Sequence, residues 1–320
     1  MAVYTRVSED ELATFLNEFD IGEATSFSGI TEGVENSNFR LSTTAGDYIL
    51  TLYEKRVNKK DLPFFINLMS HLSENGISCP LPVADKNGAV LKDLNKRAAA
   101  IVTFLTGTSS NKPNPERCHS AGIALAKLHL AASDFTIPRE NALDSKAWAS
   151  LLASCNVDDS DIDPALIVTA KERLDDILTA WPHDLPHGVI HADLFPDNVL
   201  FTNDEVTGII DFYFACQDAL AYDLAIMLNA WCFEPDFSFN MTKAKRLISG
   251  YQSIRPLSEE EKLAMPILAK GAAMRFFLTR LYDWINTPKD AQVRPHDPMA
   301  YWKRLNFHFQ VSTPSGYGIE

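Results

Sequence analysis

The chain has no Cys-x-x-Cys pair, and its five cysteines, Cys79, Cys118, Cys155, Cys216 and Cys232, are an odd number. Neither a zinc ribbon nor a fully paired disulfide framework fits, and the thiols read as small buried hydrophobes in a reducing compartment. No charge-free apolar run reaches membrane-spanning length. The opening MAVYTRVSEDELATFL lacks the basic stretch and long apolar core of a signal peptide. The expectation is a soluble, cytoplasmic protein. Long basic blocks are also missing, and the formal net charge is −13. Such a surface repels nucleic-acid phosphates and anionic lipid, so neither a nucleic acid nor a membrane is an expected partner. A small anionic ligand stays open, because bound cations and local dipoles set the field inside a site. Internal repeats and low-complexity tracts are absent. What is present is a chain of 320 residues, 46% hydrophobic and 22% charged, enough for a sizeable core and about two domains.

The period of the apolar residues changes along the chain. Ser8 and Glu11 form a capping-box pattern ahead of Leu12, Phe15, Leu16 and Phe19 on one helical face. Over 24–53 the period becomes two, with Phe39, Leu41, Tyr48, Leu50 and Leu52 alternating and Ala45-Gly46-Asp47 as a turn. Residues 61–75 return to a helical period and stop at Gly76. Strands are expected at 81–84 and 89–92, joined by Lys86-Asn87-Gly88, and again from Ala98 to Leu105. The segment 106–115, TGTSSNKPNP, reads as a linker. Helices are then expected near 116–132, 144–154, 163–181, 219–232, 241–253, 258–285 and 298–309. The exception is 187–211, where short β runs flank a polar loop.

That loop carries the strongest chemical signal. VIHADLFPDNVLF (189–201) reads His191-x-Asp193-x-x-x-x-Asn198, and thirteen residues after Asn198 comes Asp211 in IIDF. Any one Asp or Asn alone reads as a turn residue. Together they match what phosphoryl transfer needs. One aspartate orients an acceptor hydroxyl and takes its proton, while an asparagine and a second aspartate hold magnesium against the ATP phosphates. The metal lets several anions share one pocket.

With these residues the chain resembles the aminoglycoside-phosphotransferase and choline-kinase group of kinase-like enzymes. The resemblance implies an α+β, protein-kinase-like two-lobed fold. A small β-rich nucleotide-binding lobe would cover 1–106, and a larger, mainly helical catalytic and substrate-binding lobe 107–320. It implies ATP and Mg2+ as cofactors, Asp193 as catalytic base, Asn198 and Asp211 as magnesium ligands, and His191 as a scaffold of the loop. SGITEGVENSNF (28–39) is then a candidate phosphate-covering loop. Gly29 and Gly33 would let backbone N–H groups approach phosphate, with Asn36 a further nucleotide contact; outside this context two glycines in a hairpin are a turn. The kinase pattern expects a lysine on the next strand, where this chain has Thr51. Lys55 or Arg56 at the strand end would substitute, or backbone and magnesium hold the nucleotide; Lys59 and Lys60 read as a solvated patch. Tyr213 stands where protein kinases have glycine, which suits a constantly active metabolic enzyme.

Five segments, SGITEGVENSNF (28–39), DLPFFINLMSHL (61–72), GIIDFYFACQDALAYDLAIMLNAWC (208–232), RFFLTRLYDW (275–284) and DPMAYWKRLNFH (297–308), are similar to the bacterial homoserine kinases within that group. The resemblance spans most of the chain. It implies phosphorylation of L-homoserine to O-phospho-L-homoserine, a step toward threonine. A zwitterionic substrate needs a cation for its carboxylate and an anion for its ammonium. Arg275 and Arg280 are the carboxylate candidates; five residues apart, they leave one helix in different directions. Asp283 offers Arg280 a surface ion pair, so Arg275 is preferred. Asp218 and Asp223 are the ammonium candidates, Asp223 also suiting a helix cap or a brace for the loop. Tyr213, Asn229 and Trp231 are candidates to shape the pocket. Two alternatives stay open: a sister kinase for another small hydroxyl compound, such as choline, methylthioribose or an aminoglycoside, and a non-catalytic nucleotide-binding module. Oligomeric state is not legible.

Overall fold

Strict alternation of apolar side chains builds one sheet, and helical periodicity builds nearly everything else. The computed structural model describes residues 4–30, 36–54, 58–157, 160–288 and 295–320. Residues 1–107 and 207–210 form one unit, and 108–206 and 211–320 form a second. The return of 207–210 to the first unit differs from the expected single division at 106/107. Ile209 N–H donates to Ser78 O (2.9 Å) and the Ser78 hydroxyl to Thr207 O (2.6 Å).

The first unit is an antiparallel sheet of β1 (Ala24–Gly29), β2 (Ser37–Thr43), β3 (Gly46–Tyr53), β4 (Lys92–Leu94) and β5 (Arg97–Thr103), in the order β1-β2-β3-β5-β4. Two helices accompany it, α1 (Glu9–Leu16) and α2 (Leu62–Glu74). The Ser8 hydroxyl and the Glu11 carboxylate close the expected capping box on α1, which settles the orphan N–H groups of its first turn. Phe39 and Leu41 of β2, Leu50 and Leu52 of β3, and Ala99 and Ile101 of β5 pack with Leu12, Phe15, Leu16 and Phe19 into one core. Period two puts every second side chain of a strand on that face. Gly76, at φ 81°, takes the left-handed position just past α2, where a Cβ is disfavoured.

The strands expected at 81–84 and 89–92 are not there. Pro82 makes only an isolated bridge to Val102, flanked by Val83 N–H to Ile101 O (2.9 Å) and Thr103 N–H to Leu81 O (2.9 Å). A proline has no N–H to continue a ladder. The Asp85 carboxylate then gathers the N–H groups of Asn87 (2.9 Å) and Ala89 (2.8 Å) and the Lys92 ammonium (2.7 Å) into a loop. Extended pairing resumes only at Lys92.

The second unit holds α3 (Pro115–Ala131), α4 (Ser145–Ala153), α5 (Pro164–Thr179), α6 (Leu220–Trp231), α7 (Met241–Gln252), α8 (Glu259–Asn286) and α9 (Met299–His308). The short strands β6 (His187–Ile190) and β9 (Cys216–Ala219) pair antiparallel. Between them in the chain come β7 (Val199–Thr202) and β8 (Glu205–Ile209), the latter from residue 207 on belonging to the first unit. Helices α3 and α7 meet backbone to backbone. A Cβ on Gly122 would stand 2.1 Å from Leu247 O, and one on Gly250 2.1 Å from His119 O, so only glycine fits at either position. Helix α6 is buried almost all round, which fits its apolar run LAYDLAIMLNAW. All five cysteines are free and buried. Among the described residues no helix is long and apolar enough to cross a membrane.

Candidate active site

The loop 191–198 leaves β6 through a backbone conformation that side chains disfavour. Ala192 has φ 61°, a left-handed position costing about 1–2 kcal/mol for a residue with a Cβ. Such a turn cannot satisfy its polar groups within a helix or sheet, and the surrounding helices supply the partners. Asp223, wholly buried on α6, accepts from the N–H groups of His191 (2.7 Å) and Ala192 (3.0 Å). Arg275 on α8 donates to Ala192 O (2.6 Å), and the Trp231 indole donates to Leu194 O (2.8 Å). Asp193 N–H donates to His191 Nδ1 (3.3 Å). Phe195 N–H (2.8 Å) and the Asn198 amide (2.9 Å) both donate to Asp193 O. The backbone on both sides of Asp193 is therefore fixed from within one unit.

Behind Asp223 the contacts continue. His129 of α3 reaches Asp223 Oδ2 through Nε2 (3.2 Å) and the Tyr251 hydroxyl through Nδ1 (2.8 Å). Arg255 donates to that hydroxyl (3.1 Å) and to Glu261 Oε1 (2.9 Å). With Arg255 donating to it, the Tyr251 hydroxyl donates its own hydrogen bond to His129 Nδ1, leaving Nε2–H for the carboxylate. Burial alone would raise the Asp223 pKa, but the His129 hydrogen bond and the His191 N–H hold it below the usual aspartate value.

Asp193 has the opposite balance. Burial pushes its carboxyl up to about 7; Asp211 and Asp197 add to the rise, and Arg275 and Arg280 oppose it. A base poised near neutrality suits proton abstraction from a hydroxyl. Asp211 is exposed and has left-handed backbone angles (φ 65°, ψ 65°) at the start of a short 3-10 turn, Phe212–Phe214. His191 is buried with its ring 4.9 Å from that of Phe212. Tyr213 is half-buried in the same turn. A strained alanine next to Asp193 and strain at Asp211 itself form a pattern seen where function over-determines the backbone.

Whether a divalent cation fits can be judged from the donors. Among the described residues no three His, Cys, Asp or Glu side chains gather into a metal cluster. The Asn198 amide nitrogen is spent on Asp193 O, which leaves its oxygen as an acceptor, and Asp211 adds a carboxylate. One carboxylate and one amide oxygen, completed by phosphate and water, is the hard-oxygen set that suits magnesium.

Several expected residues stand elsewhere. Arg275 is buried, with its guanidinium against the rings of Phe276 (4.1 Å) and Phe214 (5.5 Å) and a donor on Ala192 O. One of its donors therefore supports the loop backbone. Asp223 is likewise occupied as a brace rather than offered to an ammonium group. Asp218 lies on β9 opposite Gly188, taken by the Asn141 amide (2.7 Å) and Ala219 N–H (2.7 Å). Its cavity, lined also by Glu140, Asp144, His183 and His187, includes no residue of the 191–198 loop. In the first unit Gly29 ends β1 opposite Phe39. Asn36 is buried and accepts from Glu54 N–H (3.3 Å), locking a strand end instead of facing outward. Thr51 is buried and donates to Asn38 Oδ1 (2.8 Å). Gly33, Lys55 and Arg56 lie outside the described residues. Sequence reasoning missed His129, whose only signal is a histidine on the buried face of α3.

Comparison with known proteins accords with this geometry. Residues 26–257 match a family described as the phosphotransferase enzyme family. A homoserine kinase from Xanthobacter autotrophicus is 55% identical over 319 residues, covering 100% of this chain and 99% of that protein. One from Parvibaculum lavamentivorans is 55% identical over 320 residues, covering 100% of both. Among solved structures, the amicoumacin kinase hAmiN aligns with a TM-score of 0.74 at 15% identity, over 95% of this chain and 94% of that one. A choline kinase from Cryptosporidium parvum aligns with a TM-score of 0.67 at 16% identity, over 95% of each chain. At these identities the structures speak for the fold, which is the α+β kinase-like one expected.

Proposed function

The chain belongs to the phosphotransferase enzyme family, and from that premise we propose that it transfers the γ-phosphoryl group of ATP to the side-chain hydroxyl of L-homoserine. The product is O-phospho-L-homoserine, on the way to threonine. The observation that carries the reading is Asp193, fixed on a loop whose backbone is held on both sides and with its carboxyl pushed to about 7. The whole-length similarity to homoserine kinases supplies the acceptor. It also favours an enzyme over a nucleotide-binding module without catalysis.

In the reaction the homoserine hydroxyl approaches Asp193, which takes its proton as the oxygen attacks the γ-phosphorus and ADP leaves. Asn198 Oδ1 and the Asp211 carboxylate are the proposed ligands of Mg2+. An ion bound there would neutralise charge on the transferring phosphates. His191, through Nδ1, holds the N–H of Asp193 and so the direction of its carboxyl. Gly29, Gly33 and Lys55 remain proposed nucleotide contacts, and Tyr213, beside Asp211, a proposed wall of the acceptor pocket. We read the enzyme as cytoplasmic.

The test is ATP consumption with homoserine, serine, choline, methylthioribose and an aminoglycoside. Serine, one methylene shorter, would place its oxygen short of Asp193, and a misplacement of about 1 Å can cost on the order of 10²-fold in rate. Homoserine should give the highest kcat/KM. Preference for choline, a sugar or an aminoglycoside would overturn the acceptor assignment and leave the kinase standing.

A further inference from the structure

Helix α8 carries two arginines near the catalytic loop, and they differ in what their guanidinium groups do. Arg275 gives a donor to Ala192 O. Arg280 follows five residues later, roughly 140° around the helix and about 7.5 Å along it. Its guanidinium carbon lies 4.6 Å from the centre of the Tyr301 ring. Among the described residues it makes no ion pair and no hydrogen bond. Arg304, one turn along α9, places its guanidinium 4.5 Å from the same ring. It too has no ion pair, and its Nε is buried with no hydrogen-bond partner among the described residues. The hydroxyl of Tyr301, a residue at 0% exposure, is unpartnered as well.

Two guanidinium groups over one phenol ring repel each other, and neither loses its charge inside a protein. Unpaired buried donors are costly. Here two gather at one place, Arg304 Nε and the Tyr301 hydroxyl. Burial, with the like charge of Arg304, holds the Arg280 pKa below its ordinary value despite the favourable influence of Tyr301, Asp193 and Asp297. The arrangement is one that an anion would complete. It also adjoins the reacting loop. Phe195, two residues past Asp193, has its ring 5.0 Å from Phe276 and 6.5 Å from Tyr301, and Phe276 stacks on Tyr301 at 5.0 Å. The aromatic group thus sets Arg280 at a fixed place relative to Asp193.

We propose that Arg280 and Arg304, seated on Tyr301, form the clamp for the α-carboxylate of the acceptor and determine its specificity. This rests on the reading of homoserine as acceptor, whose carboxylate stands at the far end of a four-carbon chain from the hydroxyl. A planar guanidinium meets a carboxylate through two parallel N–H donors. Arg275 holds the base's loop, while Arg280 holds the substrate's far end. An anion from another source, a nucleotide phosphate, has the same chemistry, and the experiment separates the two.

Steady-state kinetics are measured for the wild type, Arg280→Met, Arg280→Lys and Arg304→Met, with homoserine and with 3-aminopropanol, which lacks the carboxylate. Methionine keeps an unbranched stem on Tyr301. The lysine variant keeps the charge without the fork and guards against loss of folding, which the thermal midpoint reports. The KM for homoserine should rise on the order of 10²-fold in Arg280→Met and less in the other two. The KM for ATP and turnover of 3-aminopropanol should stay within about 3-fold of wild type. L-2-Aminobutyrate, a zwitterion without the hydroxyl, should inhibit the wild type competitively and Arg280→Met on the order of 10²-fold less, from loss of the same charge-assisted pair. An unchanged KM for homoserine, or equal losses on both acceptors, overturns the clamp. A parallel rise in the KM for ATP assigns the cations to phosphate and overturns it too. Absence of wild-type turnover with homoserine would instead overturn the acceptor reading beneath it.

Discussion

Two histidines buried in the second unit hold their surroundings in opposite ways. His129, on α3, ends its contacts in a carboxylate, Asp223, whose oxygens also collect the N–H groups of His191 and Ala192. His308, at the end of α9, meets only neutral partners, Asn229 Oδ1 through Nε2 (3.0 Å) and the Tyr317 hydroxyl through Nδ1 (2.9 Å). The Asn229 amide nitrogen donates to Ala225 O (3.0 Å) and Ala269 O (3.1 Å), which fixes its oxygen as the acceptor of His308 Nε2–H. The difference follows what each region must hold. A left-handed turn leaves adjacent N–H groups without ladder partners, and one anion takes both with charge-assisted bonds. Helices satisfy their own backbones, so joining α6, α8 and the C-terminal turn needs only a neutral side-chain network.

Removing an anion sharpens that contrast, beginning with the one assigned to chemistry. Asp193→Asn should lower kcat by roughly 10²- to 10⁴-fold, the range for a general base. Its effect on stability should have the other sign. A carboxyl whose folded pKa is raised to about 7 binds more protons folded than unfolded, so it costs stability as pH rises from the unfolded value toward 7. The metal-free variant should therefore melt no lower than wild type at pH 8. Near-normal turnover would remove Asp193 from the base position.

Asp223→Asn should harm both properties together. The amide offers one acceptor oxygen where two are used, and turns N–H groups toward donors. Removing one partner of a buried pair costs about 3–5 kcal/mol. A loop displaced by about 1 Å should lose on the order of 10²-fold in kcat. A variant with lowered kcat and an unshifted thermal midpoint would place Asp223 in the chemistry rather than under the loop.

These contrasts separate what the sequence discloses from what it does not. The period change over 24–53, the capping box at Ser8-Glu11, and the His191-x-Asp193-x-x-x-x-Asn198 spacing are local, and each is readable from a short window. Pro80, Pro82 and the turn-forming Asp85 are equally local signals that break the chain at 81–84 and 89–92, against the pull of their apolar neighbours. The brace under the loop was not, because His129 and Asp223 are 94 positions apart and nothing local links them. Choosing between Arg275 and Arg280 needed their surroundings. Spacing says they diverge from the helix; only the position of Ala192 O and of Tyr301 says which one is occupied. Asn36 illustrates the same limit, since a polar residue beside a glycine-containing turn reads as outward-facing until its burial is known.

The smallest expected effect tests the neutral region by acid. Burial depresses the His308 pKa from 6.5 to about 3. Between those values the unfolded chain carries a proton on this histidine that the folded chain does not, so stability is complete above pH 6.5 and declines as pH falls toward 3. The decline is about 1.4 kcal/mol per pH unit once below 6.5, or roughly 2 kcal/mol at pH 5. Protonation at Nδ1 would also confront the Tyr317 hydroxyl with a donor and force it to give up its own. The Asp223 region has the other window. Its carboxyl is held below 3.8, so its contribution persists until the pH falls below the unfolded aspartate value. Mild acid should therefore loosen the C-terminal region first and leave the loop brace in place. His308→Phe is the control: it loses stability at every pH by leaving Asn229 Oδ1 and the Tyr317 hydroxyl unpaired, but it removes this titration. Denaturant unfolding of both proteins from pH 7.5 to 5 gives the difference directly. The gap between wild type and variant should narrow by about 2 kcal/mol toward pH 5, with hydrogen exchange rising around α9 before it rises at His191 and Ala192. A gap that stays constant across this range would mean that His308 is not held neutral by its surroundings, and the contrast between the two histidines would fail.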